Sequence, residues 1–223
     1  MSRILVINPN SSVATTKAMN ESLAPLRYTG GPEIVSTYLA DGPPGIESQR
    51  DIEEAVLPLS KRISEESADA YIIACFSDPG LALARETTSK PVLGVAESAY
   101  LTAITMGRRF GIIAIGERSI PRHIRYVRAL GLEDRLAGDI SIDTGVTGLT
   151  DVDRSTERIL SVGSELRDSK AADVLILGCV GMSPYRSVLE AHTGLPVIDP
   201  TQAAVARAMT YVALGYSMRM RGA

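Results

Sequence analysis

The chain carries one short architectural pattern twice. Residues 67–95 read SADAYIIACFSDPGLALARETTSKPVLGV, and residues 171–200 read AADVLILGCVGMSPYRSVLEAHTGLPVIDP. Each copy has Ala-Asp, an apolar run suited to a strand, a cysteine, a short turn containing proline, a helical stretch and a second short strand opening with Pro-Val. The spacing holds to one position: Cys75 lies sixteen residues before Pro91, and Cys179 seventeen before Pro196. A β–turn–α–β unit buries its apolar faces by building a parallel sheet, so a duplicated unit implies two similar α/β halves. Cys75 and Cys179 are the two cysteines of the chain. At matching ends of matching halves, they are candidates to face one cavity from opposite sides.

The rest of the chain extends the pattern. Strands are expected at Arg3–Ile7, Glu33–Thr37, Ala70–Ala74, Val92–Val95, Phe110–Ile115, Asp139–Ile142, Val174–Leu177 and Val197–Ile198. Several are continuous Val/Ile/Leu runs, the signature of parallel strands covered on both faces. Between them, Ile52, Val56, Leu59 and Ile63 recur at helical spacing within Ser48–Glu65, where Pro58 is positioned to bend or interrupt the helix. Ile159, Val162 and Leu166 do the same within Arg154–Asp168. Each cysteine segment is preceded by one of these helices and, before it, by Arg3–Ile7 or Phe110–Ile115. The expected fold is therefore α/β, with two pseudo-symmetric halves, each a parallel-type sheet flanked by helices. The boundaries are 1–98 plus a C-terminal helix within 204–223 for the first half, and 99–203 for the second. The last helix, Gln202–Tyr216, is expected to return to the first half. A ligand is expected in a cleft between the halves, at the carboxyl ends of the strands.

Bulk properties narrow the function classes. A hydrophobic fraction of 45% with 22% charged residues suits a soluble enzyme, and a net charge of −3 leaves no basic face for nucleic acid. The opening MSRILVINPNSS has too short an apolar run for a signal peptide, and no stretch approaches the roughly eighteen apolar residues of a membrane span. Two cysteines without an export signal are expected as reduced thiols in the cytoplasm. His123 and His192 are the two imidazoles. His123 follows SIPR in what reads as the start of a surface helix, and His192 lies late in a helix, where it complements the dipole. Two histidines without supporting carboxylate spacing make no zinc site, and no phosphate-binding glycine motif is present, so no metal or cofactor is expected.

The turns after the two cysteine-bearing strands hold the candidate chemistry. Asp78-Pro79 after Cys75 reads as an N-cap and first helical residue, and Ser183-Pro184 after Cys179 repeats that logic. A thiol just before a helix N-terminus meets partial positive charge and N–H donors, which favour thiolate over a thiol of ordinary pKa about 8.5. Backbone N–H groups at Phe76 and Ser77, and at Val180 and Gly181, are candidates to hold a carbonyl or carboxylate whose charge builds as a neighbouring C–H breaks. Gly178 fits a packing role as well as a functional one. Asn10, within Asn8-Pro9-Asn10-Ser11-Ser12 at the end of the first strand, is a candidate ligand contact, with Ser11 or Ser12 capping a helix over Val13–Leu23. The run GRRFG (107–111) reads as a solvated strand entry.

Taken together, these motifs resemble the Asp/Glu/hydantoin racemase superfamily, most closely its hydantoin and allantoin racemases. INPNSS near the start is similar to that family's INPNTS, CFSDPGL (75–81) to its first cysteine motif, and GCVGM (178–182) to its second, usually GCAGM. VLGVAESA (92–99), RRFGII (108–113) and VIDP (197–200) follow in family order. The resemblance covers essentially the whole chain. It implies cofactor-independent racemisation with Cys75 and Cys179 as the two bases, Asn10 lining the pocket, a small-molecule substrate and a homo-oligomer. One departure stands out: after the strand at 110–113, many relatives have a Thr-Thr pair, and this chain has Ala114-Ile115-Gly116.

Other readings fit the same residues. Aspartate or glutamate racemisation would use the same pair, though a charged amino acid calls for more charged and hydroxyl anchors than Asn and backbone groups offer. A decarboxylase or a cis–trans isomerase of the superfamily is a further alternative, and since decarboxylation needs only one proton donor, two cysteines argue against it. A binding protein built of two α/β halves, or a redox switch pairing Cys75 with Cys179, belongs to a different class, and a reversible disulfide would mark the latter.

Overall fold

The computed structural model describes residues 1–144, 149 and 152–218. Residues 145–148, 150, 151 and 219–223, which the expected halves include, lie outside the described residues. The chain divides into two compact units, Met1–Ser98 with Thr201–Ala223, and Ala99–Pro200.

The first unit holds strands β1 (Arg3–Asn8), β2 (Glu33–Tyr38), β3 (Ala70–Ile73) and β4 (Val92–Gly94), with helices α1 (Val13–Ser22), α2 (Gln49–Glu65) and α3 (Leu81–Thr87). Helix α4 (Val95–Met106) begins here, and the division between units falls within it. The four strands pair in parallel in the order β2-β1-β3-β4. In the second unit, β5 (Phe110–Ala114), β6 (Leu136–Ser141), β7 (Val174–Leu177) and β8 (Val197–Ile198) pair in parallel in the order β6-β5-β7-β8, with α5 (Ile120–Ala129), α6 (Val152–Asp168) and α7 (Arg186–Thr193). The two sheets thus have one topology. The final helix, α8 (Pro200–Ala213), starts at a proline two residues earlier than the periodicity predicts, as suits the free first turn of a helix.

All eight expected strands form. The central ones are continuous apolar runs because both faces are covered: β3 and β7 are buried throughout. β6 begins three residues before its predicted start, because an edge strand is recruited by pairing with β5 and needs no apolar run of its own. Helix α2 passes through Pro58 without a break. Ser48 caps it in a reciprocal capping box with Asp51, and its apolar stripe of Ile52, Ala55, Leu59 and Ile63 is buried.

The Ala-Asp that opens each repeat works at the end of the sheet opposite the cysteines. The carboxylate of Asp69 accepts from Arg3 N at 3.0 Å, and that of Asp173 accepts from Arg108 N and Arg109 N at 3.0 and 3.1 Å. Each staples the entry of a central strand to its neighbour, which confirms GRRFG as a strand entry.

Candidate active site

In the first unit, the parallel pairing of β1 with β3 sends the loops that follow them out at the same end of the sheet, and Ala74 N–H bonds Ile7 O across them at 2.8 Å. Asn10 lies in one loop and Cys75 in the other. Asn8 is fully buried, and its Nδ2 donates to Asn10 Oδ1 and to Thr16 Oγ1, each at 2.9 Å. Asn10 Oδ1 also accepts from Ser12 N at 2.9 Å. A backbone N–H can only donate, so this bond fixes which end of the Asn10 amide is oxygen. The Nδ2 donor of this buried side chain makes no hydrogen bond to the described residues. Ser12, rather than Ser11, caps α1.

Cys75 sits two residues past β3, half-buried against Ile46, Ile52 and Ala55. A turn follows it, closed by Asp78 N donating to Cys75 O at 2.9 Å. Phe76 is buried and Ser77 half-buried within that turn. Here the structure corrects the sequence reading, because Asp78 does not cap α3. That helix starts at Leu81 behind Gly80, whose positive φ of 65° glycine accommodates. The Asp78 carboxylate reaches instead to α4, accepting from Ala96 N at 3.0 Å and Glu97 N at 2.8 Å.

The second unit repeats this placement at its own sheet. Cys179 lies two residues past β7 and is buried, packed with Ile113, Ile115, Ile142, Met182 and Tyr185. It is itself the N-cap of a 3₁₀ segment, Val180–Tyr185, that runs into α7. The Ser183-Pro184 expectation is thus also corrected: the helical turn opens at Val180, and Ser183 Oγ donates back to Val180 O at 2.9 Å. Val180 and Gly181 take the first positions of that segment, where N–H groups have no intrahelical acceptor. Gly178 has a packing role, since a Cβ there would meet Ile113 O at 2.6 Å. At the departure from the family pattern, Ala114 is fully buried and Ile115 packs in the same apolar cluster as Cys179.

Each histidine pairs with a side chain of its own unit. His192 pairs with Ser164 Oγ at 2.9 Å on the surface. His123 is not at the surface: it is buried in α5 with its Nδ1 2.8 Å from Asp139 Oδ2 of β6. Among the described residues, no group of three or more His, Cys, Asp or Glu side chains is arranged to hold a metal ion, and no helix is long and apolar enough to cross a membrane.

Comparison with known proteins converges on one family. The family model for Asp/Glu/Hydantoin racemase matches residues 4–208. The chain is 37% identical over 221 residues to a hydantoin racemase of Paenarthrobacter aurescens, covering 96% of this chain and 92% of the relative. In three dimensions it is similar to an allantoin racemase from Klebsiella pneumoniae, with a TM-score of 0.91, 30% identity and coverage of 100% and 92% of the two chains. A second allantoin racemase, from Pseudomonas fluorescens, also gives a TM-score of 0.91, at 27% identity and with 97% and 93% coverage. With two parallel four-stranded sheets of one topology and a match along nearly all of its length, the chain belongs to the Asp/Glu/hydantoin racemase family.

Proposed function

We propose that this protein is a cofactor-independent racemase of 5-monosubstituted hydantoins or of allantoin, with Cys75 and Cys179 as its two acid/base groups. The observation that carries the reading is the placement of the cysteines. Each lies two residues past the equivalent inner strand of a sheet of the same order, beside a turn rich in N–H donors. The similarity to hydantoin and allantoin racemases supports the substrate class.

The C5–H of such a ring is acidified by the adjacent carbonyl and the acylated nitrogen. One cysteine, as thiolate, takes that proton and becomes a thiol, leaving a planar enolate. The other, as thiol, returns its own proton to the opposite face and becomes the thiolate. The next turnover runs in the reverse sense, so the pair works with one proton shared between two sulfurs and titrates as a unit. The N–H groups of Phe76, Ser77, Val180 and Gly181 hold the developing oxyanion, and Asn10 Nδ2 donates to a ring carbonyl. Acid/base groups so placed contribute about 10²–10⁴-fold each. A thiol pair that must cycle protons suits a reducing compartment, which supports a cytoplasmic location, and the family resemblance supports a homo-oligomer.

The test is proton exchange in D₂O with single enantiomers of a 5-alkyl hydantoin, allantoin, aspartate and glutamate, read by NMR at the α-carbon and by optical rotation. Exchange with loss of rotation is expected for the hydantoin or allantoin. Cys75→Ser and Cys179→Ser are expected to abolish racemisation while sparing exchange of one enantiomer each. Racemisation of aspartate or glutamate alone overturns the substrate class, and a fully active Cys179→Ser enzyme overturns the two-base mechanism.

A further inference from the structure

We propose that Asp78 is a positioning residue for Cys75, docked as the remote N-cap of α4 so that it holds the turn beginning at the thiol. The inference rests on the reading of Cys75 as one of the acid/base pair.

Three observations carry it. First, α4 has no capping side chain of its own, because the residue before it is Gly94. The N–H groups of its second and third residues, Ala96 and Glu97, would otherwise lack acceptors, and Asp78 supplies one carboxylate oxygen to each. Second, Gly94 is required for this docking: a Cβ built there would stand 2.1 Å from both Cγ and Oδ2 of Asp78. Third, Asp78 holds a positive φ of 43°, a left-handed backbone that a non-glycine residue adopts at a cost. The strain is sustained because both ends of the residue are tied, the side chain to α4 and the N–H to Cys75 O.

The same residue therefore closes the turn that presents the Cys75 thiol and the Phe76 and Ser77 N–H groups, and anchors that turn to a separate element. Glu97, bonded through its N–H to Asp78, is in turn gripped by Arg85 of α3, whose Nη2 lies 2.5 Å from Oε2. Arg85 Nε donates to Val92 O at 3.1 Å. The anchor is thus braced from behind by both β4 and α3. The counterpart of Asp78-Pro79 in the second repeat is Ser183-Pro184, and Ser183 bonds back within its own turn. The two thiols are held by different means.

The glycine supplies a sharp test. Asp78→Gly removes the carboxylate but suits the positive φ, whereas Gly94→Ala leaves Asp78 in the chain and fills the space its carboxylate occupies. Iodoacetamide alkylation of Cys75 and Cys179, resolved by peptide mass spectrometry, is measured beside kcat and KM. Each single variant is expected to raise the Cys75 alkylation rate about threefold or more, as the half-buried thiol is released, with Cys179 unchanged. Each is expected to lower kcat by about tenfold or more with KM nearly constant, since a displaced acid/base group loses orientation rather than substrate affinity. Asp78→Asn, which keeps one acceptor, is expected to fall between. In the double variant, Gly94→Ala is expected to add nothing to Asp78→Gly. Wild-type alkylation and kcat in Asp78→Gly, or additive effects in the double variant, overturn the proposal. If the wild-type protein racemises none of the substrates above, the proposed function fails, and the alkylation cycle still decides whether Asp78 positions Cys75.

Discussion

The side chains of His123 and Asp139 are each 2% exposed, and this burial governs how the pair responds to pH. Asp139 Oδ2 meets the imidazole at 2.8 Å, while Oδ1 is buried with no hydrogen-bond partner among the described residues. Desolvation pushes the Asp139 carboxyl above the ordinary carboxylate range, against the opposing pull of the His123 hydrogen bond. A raised folded-state value means that the native state holds this proton more tightly than the unfolded chain does. The stability it contributes is therefore complete below about pH 4 and is lost as pH rises through the raised value. Asp139→Asn retains an acceptor for the imidazole and carries no charge. Its stability relative to wild type, measured by urea unfolding from pH 4 to pH 8, is expected to rise with pH, and a falling difference would refute this account. His123→Ala leaves the Asp139 carboxyl buried without this hydrogen bond and is expected to lower stability by about 1–3 kcal/mol. None of this was legible in the sequence. His123 and Asp139 are separated along the chain by a helix end and a turn, and an Arg-His-Ile-Arg run reads as a solvated surface.

At the scale of elements, helix α2 shows how packing overrides a local signal. Proline inside a helix removes a backbone hydrogen bond and crowds the preceding turn, so the sequence alone points to a bend or an interruption at Pro58. The helix nevertheless runs from Gln49 to Glu65, because Ile52, Ala55, Leu59 and Ile63 are buried on one side of Pro58 and the other, while Pro58 itself is exposed. Pro58→Ala is expected to restore the missing bond without disturbing the core, raising unfolding stability by about 1–3 kcal/mol. Ser48→Ala is expected to cost about 1 kcal/mol by opening the capping box. Both are read from denaturant midpoints at constant slope, and a destabilised Pro58→Ala would show that the proline sets a bend the core requires. The capping box was within reach of the sequence, since its two partners are three residues apart. The fate of the helix at Pro58 was not, since it depends on what the flanking residues pack against.

For the whole molecule, the question is whether the two matched cysteines act within one chain. We expect that they do. Cys75→Ser and Cys179→Ser proteins, mixed, unfolded together and refolded, are then expected to recover no racemase activity. Recovery of about a quarter of wild-type activity would instead mean that each site draws its cysteines from two chains, given random pairing in a symmetric dimer. Much of the architecture behind this question was readable from one dimension. Buried parallel strands must be continuous Val/Ile/Leu runs, strand-to-helix turns must use Gly, Pro, Asp and Ser, and a duplicated run of both defines two sheets of one order with a cysteine at the same place in each. These are local or periodic constraints, so the sequence alone determined the fold class, the pairing of the repeats and the candidate thiols. Only the tertiary structure decided that Asp78 caps α4 rather than α3, that Gly178 and Gly94 leave room for Ile113 O and the Asp78 carboxylate, and that His123 turns inward to Asp139. Each of these depends on a side chain meeting a backbone or a charge from a segment brought close by folding, and contacts of that kind leave no period in the sequence to read.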